Sequence, residues 1–258
     1  MMKPFVHATS IVRTIWGRGD TILLIFAGAS AEFALNKSVD WLYYTGRLPA
    51  DPLGRLFSTV AYSQRIVFAE EEKALAAIDN ITAIHKGVEQ KRGGSIPAEA
   101  YLDVLFMLIG YSVSAFELLE RKLSAAEKEE VFDVFSRVGR RMGLTGLPEH
   151  YNEWELLREQ HLRTRLERSD LSVDLYRRYR QSLGRVRYAL LLQAQILLVP
   201  DSVRRLLGLT AFSFLYPVIP VYKLVCFLRL EKGVKRLLLP IAYRAAVFQL
   251  DMAGVQAP

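Results

Sequence analysis

Of the four histidines in the chain, His7, His85, His150 and His161, His85 has the company that suits chemistry. Ile78 and Ile81 precede it and Val88 follows at helical spacing, so a helix through this stretch turns the imidazole onto an apolar face. Such a residue is either a core histidine with its polar atoms satisfied or an axial ligand. In the second case one ring nitrogen meets the iron of a buried planar cofactor while the other donates to a carbonyl or carboxylate. His150 and His161 are separated by about three helical turns and stand among Glu149, Glu153, Glu155 and Glu159, which reads as an exposed polar helix. A dinuclear carboxylate bundle needs paired E-x-x-H segments, and the sequence has none. Cys226, in KLVCFL, reads as a packing residue; as the one cysteine it excludes an internal disulfide and a cysteine-rich zinc site. G-x-S-x-G, Walker, G-x-G-x-x-G and H-E-x-x-H patterns are absent.

The elements that must position these residues read as helices almost throughout, because apolar spacing of three and four recurs and alternating strand patterns do not. Residues 21–35 suit a buried helix. LPADPLG at 48–54 reads as a turn before a helix from Leu53 to about Val67. Glu70, Glu71 and Glu72 open the helix that carries His85, and KRGG at 91–94 closes it. Pro97 suits a first helical turn before a long apolar helix from Tyr101 to Lys122. Ser124 and Glu127 form a capping box opening the next helix, to about Met142, and GLTGLP breaks the chain. Pro148 opens a polar helix, residues 172–198 a helix with a basic face, and Asp201 caps a short helix ending at Gly208. With no internal repeat, low-complexity tract or linker, residues 1–258 are predicted to form a single all-α domain.

Composition sets the outer bounds. A chain of 258 residues, 51% hydrophobic and 24% charged, is neither disordered nor fibrous, and it can bury a sizeable core. The net charge of +7 belongs to the C-terminal part: residues 1–157 carry 17 bases against 20 acids, 158–187 carry nine arginines against four acids, and 188–258 carry eight bases against three acids. Such a basic half serves a solvated helix face, an anionic membrane surface, a nucleic acid or an acidic ligand. The uncharged run 206–222, LLGLTAFSFLYPVIPVY, is too short and too proline-rich for a membrane span. It reads first as a core segment and second as an interfacial element, because Arg204, Arg205, Lys223, Arg229, Lys232, Lys235 and Arg236 surround it. No secretory leader pattern opens the chain, so a reducing, cytoplasmic setting is expected, with the inner face of a membrane as a candidate docking surface.

The run DPLGRLFSTVAYSQRIVFAEEEKALAAIDNITAIHKGV at 51–88 resembles the catalytic domain shared by rubber oxygenases (latex-clearing proteins) and the ER-bound oxygenase of mycophenolic acid biosynthesis. The likeness rests on a D-P-x-x-R start (Asp51, Pro52, Arg55), a threonine four residues on (Thr59), an acid-rich helix start, and Ile84-His85 with Val88. It continues more weakly through FELLERKLSAAEKEEVF, the GLTGLP stretch running on to Trp154, and VPDSVRRLLGL. The resemblance implies an all-helical, globin-like core. It implies a b-type haem held by His85, with Arg55 and Thr59 on the distal side, and oxidative cleavage of an alkene with O₂. Arg55 would donate to bound oxygen or a propionate, Thr59 would order a distal hydroxyl, and His85 would set the iron's electronics. The chain departs from the family at Ser58, where rubber oxygenases place a lysine. It departs again at Phe26–Ser30, where many relatives carry A-H-P, and at Leu105–Tyr111, which lacks a histidine. Asp40 and Glu32 are candidates for a catalytic base without a motif.

The expected function is therefore a haem-dependent oxygenase acting on an apolar, isoprenoid- or lipid-like small molecule. The alternative is a haem-free helical protein that binds a lipid or a partner in the same cleft. Nucleic-acid binding by the arginine-rich segment, with Tyr176, Tyr179 and Tyr188 interleaved, ranks below both: no recognised motif accompanies it, and tyrosines three apart more often pack a helix on its neighbour. The oligomeric state is not legible.

Overall fold

The computed structural model describes residues 3–227, and Arg229, Lys232, Lys235 and Arg236 lie outside that range. Two short-range signals set the entry of the chain. Ser10 accepts from the Val12 amide and caps α1 (Ile11–Trp16), and Trp16 at its end is fully buried, its Nε1 donating to Ser112 Oγ at 3.1 Å. The next helix, α2 (Gly19–Leu35), is apolar on nearly every side and buried along most of its length, as a central helix must be. It packs against α7 (Ala98–Leu119) and α10 (Asp170–Leu198). Two short helices, α3 (Asp40–Tyr44) and α4 (Arg47–Ala50), lead into α5 (Pro52–Phe68) and α6 (Glu71–Arg92). α8 (Ala125–Arg141), α9 (Tyr151–Thr164), α11 (Asp201–Leu207) and α12 (Val218–Phe227) complete the described residues. No strand occurs among them; two isolated bridges, Pro4 with Glu70 and Asn36 with Leu166, tie loops together. The all-α class predicted from periodicity is what forms.

Local chemistry explains the element ends. Asp51 Oδ1 accepts from the Gly54 amide at 2.9 Å and Pro52 occupies the first turn of α5. Glu71 and Glu72 begin α6, Lys91 and Arg92 end it, and Gly93 closes it with φ 73°. The predicted capping box of Ser124 and Glu127 is present in full. Three expectations shift. Pro97 precedes α7 rather than entering it, and Asp201 is the first residue of α11 rather than its cap, its carboxylate pairing with Arg204 at 2.7 Å. The long 170–198 helix is interrupted at Gly184, whose φ of 71° lies in the left-handed region that glycine adopts without cost.

The close approach of α2 and α7 depends on Gly28. A Cβ there would overlap the Tyr111 ring, which is buried and fixed by its hydroxyl. Gly28→Ala is therefore expected to cost about 1–3 kcal/mol through overpacking, read as a lower urea midpoint at unchanged m.

Only the start of the run 206–222 is core: Leu206 and Leu207 pack against it, and most of the apolar side chains that follow do not. Phe212, Phe214, Tyr216, Val218 and Val221 are 47–67% exposed. Val203 and Leu198 are buried in the core at this end.

Candidate functional site

The α5–α6 hairpin carries the candidate site. The two helices pack together about the Ala69–Glu70 turn, and Arg55 and His85 stand about equally far on either side of it, which brings them level. The Arg55 charge accordingly acts on the His85 ring. Thr59 lies on the same face of α5 as Arg55, one turn on.

Arg55 Nη1 donates to Thr59 Oγ1 at 3.0 Å and to Ser58 Oγ at 3.3 Å. Both hydroxyls donate in turn to the Arg55 carbonyl, at 3.2 and 2.7 Å. The guanidinium is thus clamped by its own helical turn, and the Thr59 proton is already committed to the backbone, so Thr59 orients Arg55. No carboxylate pairs with Arg55 among the described residues; burial, and then the Arg47 charge, push its pKa below the ordinary guanidinium value.

His85 shows the complementary deficit. Its Nδ1 is buried and has no hydrogen-bond partner. The ring lies against Tyr101, with centroids 5.2 Å apart and planes inclined at 60°. Burial first, and Arg55 second, push the imidazole below its ordinary pKa, outweighing the opposite pull of Glu89. The ring is therefore neutral at neutral pH, with a lone pair available to a ligand. An unsatisfied buried polar atom costs about 1–3 kcal/mol, and Nδ1 of His85 is one of seven such side-chain atoms among the described residues.

Two further residues belong here. Glu89 Oε1 accepts from the Ile96 amide at 2.8 Å and from Tyr101 Oη at 3.4 Å, and burial followed by the Glu89 charge raises the Tyr101 phenol. The i,i+4 spacing of His85 and Glu89 was the available signal for Glu89; Tyr101 comes from another helix and left no trace in the local pattern.

The other polar candidates form a separate, structural network. Glu32 is buried and held by both terminal nitrogens of Arg158, while Tyr111 Oη donates to its Oε2 at 2.9 Å. Glu32 is thus fully engaged and is no poised base. Asp40 pairs with Arg92 at 2.7 Å, and that guanidinium lies 4.0 Å from the Trp41 ring centroid. His161, expected on an exposed face, is buried with Nδ1 2.6 Å from Asp103 Oδ1, and Asn36 Nδ2 donates to Asp103 Oδ2 at 2.7 Å. The reason is that Trp154, Arg158 and His161 recur at helical spacing and make the inward face of α9. Arg158 is for the same reason no part of a solvated basic face. Tyr176 and Tyr179 pack edge to face at 5.6 Å, as their spacing suggested.

At the departures from the family pattern the space is filled. The Tyr111 ring covers Gly28, and Ser30 Oγ donates to the Ala27 carbonyl at 2.9 Å while accepting from Gln195 Nε2 at 3.2 Å. A groove of about 480 Å³ beside Leu118, Leu197 and Ile219 is lined by none of Arg55, Thr59 and His85. Among the described residues no cluster of three or more His, Cys, Asp or Glu side chains is arranged to hold a metal ion.

The imidazole of His85, its Nδ1 without a partner, thus stands level on α6 with the Arg55 guanidinium on α5, which has no carboxylate partner among the described residues. Residues 15–219 match the family described as ER-bound oxygenase mpaB/B'/rubber oxygenase, catalytic domain, and the chain belongs to that family. The match contains Arg55, Thr59 and His85 and nearly all of the described helices. No curated protein and no solved structure matches the chain significantly.

Proposed function

We propose that the protein is a haem-dependent oxygenase, an oxidoreductase that uses O₂ on an apolar, isoprenoid- or lipid-like substrate. The observation that carries this reading is the buried, unpartnered Nδ1 of His85 beside a guanidinium without a carboxylate. The residues present fit a haem: a neutral imidazole is the form that ligates iron, and Arg55 is a cation awaiting a propionate or a polar diatomic ligand. His85 would hold the iron, and a bound haem would supply activation of O₂. The protein's own part is positional. Ser58 and Thr59 fix Arg55 through its Nη1, and the Tyr101 ring packs against the imidazole.

The test is a visible absorption spectrum of the protein produced with a haem precursor, where a Soret band is the expected result. No band, even after adding hemin, overturns the proposal. In a titration with hemin, Arg55→Gln is expected to keep the band and weaken binding about tenfold or more, since a charge-assisted hydrogen bond contributes about 1.5–3 kcal/mol. The second reading, a haem-free protein binding a lipid or a partner, is favoured by the filled space at Gly28 and Ser30; it is the one left standing if the band is absent.

A further inference from the structure

The apolar side chains between Phe212 and Leu224 are held outward by construction. Ser213 is buried, its Oγ donating to the Gln193 carbonyl at 3.0 Å and accepting from the Leu215 amide at 3.2 Å, while the Phe214 amide donates to Gln193 Oε1 at 2.9 Å. This anchor pins the loop onto α10 and leaves Phe212, Phe214 and Tyr216 in solvent, the first and last in ring contact at 6.2 Å. The helix that follows is docked along one side only. Tyr222 Oη donates to Asp20 Oδ2 at 3.1 Å, and Cys226 Sγ sits 4.0 Å from the same oxygen. Val221 and Leu224, three residues apart, lie away from that side and are 57–60% exposed, and Val218 at the helix start is 47% exposed. Three aromatic rings and three aliphatic side chains are thus exposed within 13 residues of chain, and exposed apolar patches mark interaction sites.

The surrounding charge identifies the occupant. Arg205 lies in the last turn of the short helix just before the loop, beside Arg204, which is paired with Asp201; Arg168 Nη1 lies against Gly208, and Lys223 stands within the exposed stretch with Nζ on the Glu120 carbonyl at 3.1 Å. From 202 to 223 the chain has three bases and no acid. Aromatic and aliphatic tips rimmed by cations suit the boundary between acyl chains and anionic headgroups, which demands no shape-matched partner. We infer that this patch is the docking surface for an anionic lipid bilayer. The inference does not depend on whether His85 holds a cofactor.

The test is co-sedimentation of the full chain with phosphatidylglycerol–phosphatidylcholine vesicles and with pure phosphatidylcholine vesicles. Binding to the anionic vesicles is expected to be at least about tenfold tighter than to the neutral ones, and to weaken as salt rises. The combined Phe212→Ser, Phe214→Ser and Val221→Ser variant is expected to lose at least about tenfold of it at unchanged far-UV circular dichroism. Should that variant misfold, Arg168→Gln with Arg205→Gln, both exposed, supplies the decision through a comparable loss. Absence of binding, equal binding to neutral vesicles, or variants that bind like the parent overturn the inference. So does a parent protein that self-associates without lipid and becomes monomeric on losing the three apolar side chains, since the occupant is then a second copy.

Discussion

Protein with His85→Ala, produced with a haem precursor, is expected to show no Soret band where the parent shows one, or a weakened and shifted band if hemin is forced in. The expectation follows from the imidazole's situation. Its Nδ1 has no protein partner, so removal breaks no hydrogen bond, and the variant should fold with a stability change within about 1 kcal/mol. Loss of the spectrum at retained helicity then reports loss of the ligand rather than loss of the fold. A band of the same position and strength in parent and variant places the iron elsewhere. The same ring gives the apoprotein an acid signature. Burial and Arg55 hold the folded-state pKa below the ordinary 6.5, so on acidification the unfolded chain takes up the proton first. Stability contributed by the neutral ring is present above about pH 6.5 and falls below it, and the fall should be shallower in the alanine variant, as followed by urea midpoints from pH 7.5 to 5.

How much of this was legible in the sequence follows from the range of each interaction. The helices, the capping box and the Glu71–Arg92 helix with its glycine stop are written in neighbours three or four residues apart, and they form where that grammar places them. Arg55 and His85 could be named from the sequence, but their approach could not be derived from local pattern; it needs the length of both helices and the turn between them. The polar interior was misread for a related reason. Glu32 and Arg158 are far apart in sequence, and a helix rich in Glu and Arg reads as solvated unless the stripe of Trp154, Arg158 and His161 is taken as its buried face. The exposed side chains from Phe212 to Val221 failed differently: apolar composition predicts burial, but whether core remains to be filled depends on what other helices have already covered.

The buried Glu32–Arg158 pair carries the largest stability effect, and its variants separate a structural carboxylate from a catalytic one. Glu32 is 1% exposed and Arg158 7%, so Arg158→Met strands a carboxylate whose one remaining side-chain donor is the Tyr111 hydroxyl. The expected cost is about 3–5 kcal/mol, a fall in Tm on the order of 10 °C for a chain of this size. Adding Glu32→Leu to that variant removes the stranded charge but leaves the Tyr111 hydroxyl unpaired, so stability should recover in part; adding Tyr111→Phe as well should recover most of the rest. The Arg158→Met loss should therefore shrink as its partners are removed, a non-additivity that a set of isolated contacts would not produce. Because no hydrogen bond joins this network to Arg55 or His85 among the described residues, any Soret band should keep its position in all these variants at temperatures where they remain folded. A Glu32→Gln variant of undiminished stability that has lost turnover would instead restore Glu32 as a base. Its two arginine contacts and its tyrosine contact argue that stability, not proton transfer, is what this carboxylate provides.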